Sequence, residues 1–219
     1  VQHVSGRRRP SSSGSRSPGL LEFDESRRAG RALLAGLDEA GRGPLAGPLV
    51  VAAAILPPGL AIPGVDDSKK LRDRARRKAF EAVQESAICW ATGLVEPHDI
   101  DLMGISRATR TAFERALGGL SIKPDICIID GLPMAGLGFA AEFVVRGDSR
   151  SLSVAAASVL AKVTRDTIMI EADRLWPGYG FASNKGYGSP EHMEALRRLG
   201  PCPLHRLSFA PLSSPGLFD

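Results

Sequence analysis

Two short apolar runs, "RALLAGLD" (residues 31–38) and "GPLVVAAAIL" (residues 47–56), flank a glycine-rich turn. Continuous apolar runs of this length, bounded by glycine, predict buried strands. The next segment, "LRDRARRKAFEAVQES", places Leu71, Ala75, Ala79 and Val83 four residues apart. That spacing predicts an amphipathic helix with a basic outer face. "AICWATGLV" predicts a third strand, and "SRATRTAFERALGGL" a helix with Ser106 as its N-cap and a stop at Gly118-Gly119.

Further along, "DICIIDG" and "FAAEFVVRGD" predict strands that end at Asp130 and Asp148. "SVAAASVLAKVTRDTIMIEADRLWPG" predicts a long helix, apolar around its first half and closed by Pro177-Gly178. In "SPEHMEALRRLG", Ser189 reads as N-cap, Pro190 as the first helical residue and Gly200 as the stop. Strands followed by helices, with some alternation, predict an α/β or α+β domain on a mixed sheet. The first 19 residues are rich in Ser, Arg, Gly and Pro, with almost nothing to bury, and disorder is expected there. The expected organisation is a tail over 1–31, a folded domain over 32–212 and a C-terminal tail over 213–219.

Composition changes this picture in three places. The chain has 219 residues, 43% of them apolar, which suits one large domain. The formal charge of +4 equals the four arginines of the first 20 residues, Arg7, Arg8, Arg9 and Arg16, so the remainder is neutral by count. Local clustering is therefore the better guide to an anionic partner, and "DDSKKLRDRARRKAF" is the one dense basic run. No apolar run approaches the ~20 residues of a membrane span, and the basic start lacks the apolar stretch of a secretory signal. A soluble, cytoplasmic protein without membrane contact is expected.

Three scattered cysteines (Cys89, Cys127, Cys202) and four dispersed histidines (His3, His98, His192, His205) form no metal spacing, and no histidine pair is evident. A metal, if bound, needs carboxylate ligands, which points to magnesium or manganese. Asp38-Glu39, Asp130 and Asp148 each end a predicted strand. Acids at neighbouring strand ends can converge on one sheet edge and relieve their repulsion by binding a divalent cation. Each taken singly also reads as an ordinary turn residue, and spacing leaves both readings open.

"GRGPLAG" has the wrong spacing for a dinucleotide loop and leads into a strand rather than a helix. Two glycines around Arg42 still let backbone N–H groups approach a ligand while the guanidinium reaches a phosphate. A phosphate-bearing polymer beside the acids fits this loop better than a free nucleotide.

Together "GLDEAGRGPLAGPLVVAAAIL", "DDSKKL", "IIDG", "RGDSRS", "SVAAASVLAKVTRD", "NKGYGSPEHMEAL" and "HRLSF" resemble the ordered motifs of bacterial type 2 ribonuclease H, over about residues 33–211. The resemblance implies an RNase H-like fold, a mixed five-stranded sheet flanked by helices with a helical C-terminal portion. It implies a metal-dependent endonuclease that cleaves the RNA strand of RNA–DNA hybrids and incises 5′ of single ribonucleotides in duplex DNA, in ribonucleotide removal. Carried over by motif, Asp38, Glu39, Asp130 and Asp148 are the catalytic and metal-binding residues, with Arg146 standing where lysine is common. They would hold two Mg2+ or Mn2+ ions for in-line attack by water, giving 3′-hydroxyl and 5′-phosphate ends.

Gly41, Arg42 and Gly43 match the element that reads the ribose 2′-OH, Tyr187 the tyrosine that packs on the sugar, and Lys69 and Lys70 phosphate contacts. Asp166 is read as structural. A non-catalytic binding module and a general DNA nuclease are the rival classes. The four acids argue against the first and the Gly-Arg-Gly triplet against the second. A monomer is expected, with "GLFD" at the C-terminus a weak candidate for a sliding-clamp contact.

Overall fold

The computed structural model describes residues 19–29, 32–65 and 73–214. Lys69 and Lys70, most of the first tail and the "GLFD" terminus lie outside them. Five strands form one sheet in the order β3-β2-β1-β4-β5: β1 Leu34–Ala40, β2 Leu49–Ile55, β3 Cys89–Val95, β4 Ile126–Asp130 and β5 Glu142–Val144. The first three are antiparallel neighbours, whereas β4 runs parallel to β1 and β5 parallel to β4. This is the expected mixed sheet.

Helices cover both faces because β1 and β2 are apolar on both. One face packs on α5 (Leu152–Leu175), helped by α2 (Asp73–Ser86) through Ala79 and Val83. The other packs on α3 (Pro97–Met103) and α4 (Ile105–Gly118) through Ile100, Ala112, Phe113 and Ala116. Contact with α5 is close enough to dictate a residue: a Cβ on Gly36 would lie 2.1 Å from the Ser153 carbonyl carbon. Two short helices, α6 (Phe181–Asn184) and α7 (Pro190–Leu199), form the C-terminal portion around Tyr179, Phe181 and Leu196.

Three expectations need correction. The stretch expected as a tail to residue 31 contains α1, Gly19–Arg28, docked on the domain. Asp24 is 1% exposed and accepts hydrogen bonds from Ser151 Oγ (2.6 Å), Ser153 N (2.8 Å) and Ser153 Oγ (2.7 Å). It thus caps the start of α5 from outside that helix, where a carboxylate is stabilised by the helix dipole. Second, α4 starts one residue before Ser106, with Gly104 as N-cap (φ 77°), so Ser106 caps nothing. Its neighbour α3 ends on the same glycine, and the two helices share one turn. Third, His192 and His205 are a pair, with Nε2–Nε2 at 3.0 Å. By contrast Ser189 accepts from His192 N as the N-cap of α7, with Pro190 first and Gly200 at the stop.

Candidate active site

The parallel register sets Leu37 opposite Ile129, so the next residues, Asp38 and Asp130, finish side by side at one sheet edge. Leu37 and Ile129 point into the core beneath α4, and strand alternation therefore turns Asp38 and Asp130 toward α5 and Glu39 toward α4. β5 ends at Val144 rather than at Asp148 as the apolar run predicted, and from it the chain passes Arg146, in left-handed backbone (φ 56°), into a 3-10 turn at Gly147–Ser149 that carries Asp148. Gly147 N donates to Asp130 Oδ1 at 2.6 Å, which ties the turn carrying Asp148 to the end of β4.

A cleft of about 380 Å³ opens at this edge. Asp38, Glu39 and Asp130 line it, with Gly41, Arg42, Gly43 and Tyr187. Asp148 is 6% exposed and does not line it; its turn is tied to the cleft by the bond from Gly147 N to Asp130. On the α4 side a second hollow of about 710 Å³ shares Glu39, Arg42 and Asp130 with the first.

Asp38 is 5% exposed, and burial, then Glu39, then Asp130 push its carboxyl well above the usual range. Hydrogen bonds from Ser158 and from Glu39 N (2.8 Å to Asp38 Oδ1) oppose the rise. Glu39 is drawn partly toward Arg42, 3.8 Å away. Among the described residues no three His, Cys, Asp or Glu side chains are gathered tightly enough to form a closed cation cage by themselves. The donor set still suits a hard divalent ion, since carboxylate oxygens supply it and mutual repulsion already strains Asp38.

Four polar lining residues escaped the sequence reading as site residues: Ser158, Lys162, Arg165 and Arg76. The first three stand at i, i+4 and i+7 on α5, one polar stripe on a helix that is apolar around its first half, and that spacing is the signal that could have found them. Lys162 pairs with Asp166 at 2.6 Å, so Asp166 has a structural partner. Arg74 and Lys78 on α2 are exposed, whereas Arg76 turns into the cleft. The paired histidines lie elsewhere, 0% and 3% exposed among Tyr179 and Phe181.

A mixed sheet with acids at the ends of its central strands, flanked by helices on both faces, defines the RNase H-like class of nucleases. Ribonuclease H2 from Pyrococcus horikoshii OT3 superposes with a TM-score of 0.70 at 28% identity, over 82% of this chain and 95% of that one. An Archaeoglobus fulgidus RNase HII, solved in a PCNA:RNase HII complex, superposes with a TM-score of 0.68 at 25% identity, over 81% and 95%. Within that class the Ribonuclease HII family model matches residues 35–212, and the chain belongs to that family. It is 52% identical over 182 residues to the Ribonuclease HII of Moorella thermoacetica, covering 83% of this chain and 88% of that protein. The family consists of divalent-metal-dependent endonucleases that cleave RNA in RNA–DNA hybrids.

Proposed function

We propose that this chain both cleaves RNA–DNA hybrids and incises duplex DNA on the 5′ side of a single ribonucleotide, with Asp38, Glu39, Asp130 and Asp148 as its metal-binding carboxylates. The observation that carries the reading is a single cleft in which Asp38, Glu39 and Asp130 face Gly41, Arg42, Gly43 and Tyr187. A group that reads ribose has to lie within one nucleotide of the group that cuts. That the acids and the Gly-Arg-Gly turn line the same 380 Å³ cleft supports these roles.

Magnesium or manganese ions held by these carboxylates supply water activation and stabilisation of the departing 3′-oxygen. The chain's own residues do the rest. Asp38 and Asp130, fixed by the strands and by the bond from Gly147, set where the scissile phosphate must sit. Backbone N–H groups of the Gly-Arg-Gly turn come close to the ribose because two of the three residues carry no side chain. Tyr187, half-exposed at 51%, offers its ring to the sugar or base. Lys162 and Arg76 add positive charge along the same cleft, and Lys69 and Lys70 complete the phosphate contacts in this reading.

The folded unit of this reading is the domain over 32–212 with α1 docked on it, acting as a monomer in the cytoplasm. Among the described residues no helix is long and apolar enough to cross a membrane. A sliding-clamp contact remains a proposal for the C-terminal residues, in keeping with the complex formed by the Archaeoglobus protein.

The test is a labelled duplex carrying one ribonucleotide, incubated with the full chain and manganese or magnesium. Metal-dependent cutting 5′ of the ribonucleotide, leaving 3′-hydroxyl and 5′-phosphate ends, is expected. Equal cutting of an all-DNA duplex would replace the reading with a general nuclease, and no cutting by folded protein in either metal would replace it with a binding module.

A further inference from the structure

The loop over residues 41–48, between β1 and β2, is braced from beneath by two buried arginines. Arg206, 0% exposed, donates from Nε to Gly47 O (3.0 Å), from Nη1 to Arg42 O (3.1 Å), and from Nη2 to Gly41 O (2.6 Å) and Gly47 O (2.7 Å). Arg165, 1% exposed, donates from Nε to Pro48 O and from Nη2 to Ala46 O, both at 3.0 Å. Each of these hydrogen bonds ends on a main-chain carbonyl of the loop. Around them the backbone of the C-terminal segment is stitched to the same loop, Gly47 N to Leu204 O at 2.8 Å and Arg206 N to Leu45 O at 2.8 Å. Gly41 has φ +91°, and a Cβ there would lie 2.0 Å from Arg165 Nε, so this bracing is possible only with glycine at that position.

The arrangement has a directional consequence. In a trans peptide the carbonyl and the next residue's N–H point in opposite directions. The carbonyls of Gly41 and Arg42 are drawn down onto the buried guanidinium. The N–H groups of Arg42 and Gly43 therefore point away from it, and both residues are exposed and line the cleft. Charge-assisted bonds to the carbonyls also polarise these peptides and strengthen their N–H groups as donors. Burying two guanidinium groups is costly. A loop that needed only its carbonyls satisfied could use water or a neutral side chain instead.

We propose that Arg206, with Arg165 beside it, is a positioning residue that aims the Arg42 and Gly43 amides at the ribose and so fixes which phosphate is cut. This rests on the ribose-reading role given above to Gly41, Arg42 and Gly43. Arg206 touches neither substrate nor metal in this account; it acts through the loop.

The test uses the full chain with manganese and a duplex carrying one ribonucleotide, comparing wild type with Arg206→Lys. Lysine keeps the charge but loses the planar fork. The expected result is a fall in kcat of roughly 10- to 100-fold at a KM changed by less than about threefold, because the bound substrate is misaligned rather than lost. Incision should also spread to the phosphates on either side of the normal position, which a loss of stability alone would not produce. A folded Arg206→Lys protein with unchanged kcat and a single cut position overturns the proposal.

If that variant does not fold, Arg165→Lys gives the same readings from the other half of the brace. Should wild type fail to cut at the ribonucleotide, the functional reading falls instead. Backbone order parameters of Gly41, Arg42 and Gly43 then decide the positioning role: lower values in Arg206→Lys support it and identical values overturn it.

Discussion

Along one wall of the cleft Asp38 lies buried between Glu39 and Asp130, and desolvation with like charge drives its carboxyl toward the protonated form. Beneath the loop on the other wall Arg165 and Arg206 are equally buried, and desolvation lowers the Arg206 guanidinium to about 9. The two walls are nevertheless in different states. The arginines are surrounded by carbonyl acceptors at hydrogen-bond distance, while the acids press against each other. A satisfied charge fixes geometry. A frustrated one stores binding energy for a cation, and under the proposed function that difference separates the wall that holds still from the wall that would do the chemistry.

The largest expected effect breaks the acidic wall. Asp130→Asn keeps the shape of the side chain and its acceptor for Gly147 N, yet removes one negative charge. Single-turnover incision of the ribonucleotide-containing duplex should fall about 100-fold or more. Circular dichroism should stay that of the wild type. Unchanged incision would remove Asp130 from the site.

The second experiment sets one buried acid against another. Asp24 has its hydrogen-bond donors in place from Ser151 and Ser153, so Asp24→Ala strips the cap from α5 and leaves those donors without it. Urea denaturation should show a loss of about 2–3 kcal/mol. A loss below about 0.5 kcal/mol would mean that α1 is merely laid on the surface.

Asp38 also accepts hydrogen bonds, from Ser158 and Glu39 N, but burial and its acidic neighbours outweigh them, and Asp38→Asn should act in the opposite direction. Its folded pKa is raised, so stability falls as pH rises from the unfolded value of about 3.9 through the folded one, and the full cost is present above it. Removing the charge should stabilise the metal-free protein at pH 7, by about 1–2 kcal/mol, while incision is lost. Excess manganese should stabilise wild type more than the variant and narrow the gap. A variant less stable than wild type in chelator would contradict the frustrated state of the acidic wall.

The acidic wall was the more legible in the sequence. Asp38-Glu39 and Asp130 end apolar runs, strand alternation fixes which face each takes, and such short-range features survive without a structure. The brace was not legible, because its acceptors are backbone carbonyls, which every residue has, and its arginines come from α5 and from a segment about 160 residues further along the chain. The same holds for α1. Nothing in "FDESRR" shows that Asp24 caps a helix 127 residues later in the chain. Ser106 misled for a local reason: a serine before an apolar period resembles an N-cap, but Gly104 already ends α3 and starts α4.

The smallest expected effect concerns how Tyr187 is tied to the braced side. Tyr187 O accepts from His192 Nδ1 at 2.8 Å, so His192 carries its proton on Nδ1 and presents a bare Nε2. His205 must then donate from Nε2 across the 3.0 Å contact, leaving its Nδ1 to accept from Cys202 N at 2.9 Å. Both rings are neutral in this chain of bonds, and a proton added to either breaks one link. Burial pushes His205 down to about 4 and lowers His192 as well. Since the folded values lie below the unfolded value near 6.5, the stability contributed is present above that pH and drains away as pH falls toward 4. Between pH 6.5 and 5.5 the loss from His205 should be about 1 kcal/mol, a Tm decrease of about 2–4 °C, with His192 adding in the same direction. Asp24 and Asp38, with raised values, titrate in the opposite sense and mask part of it. The comparison to make is therefore with His205→Asn, whose side-chain oxygen can still accept from Cys202 N. The slope of Tm against pH in this window should be shallower in the variant by about one proton. Equal slopes would mean that the pair does not titrate there and that Tyr187 is held to the braced side independently of pH.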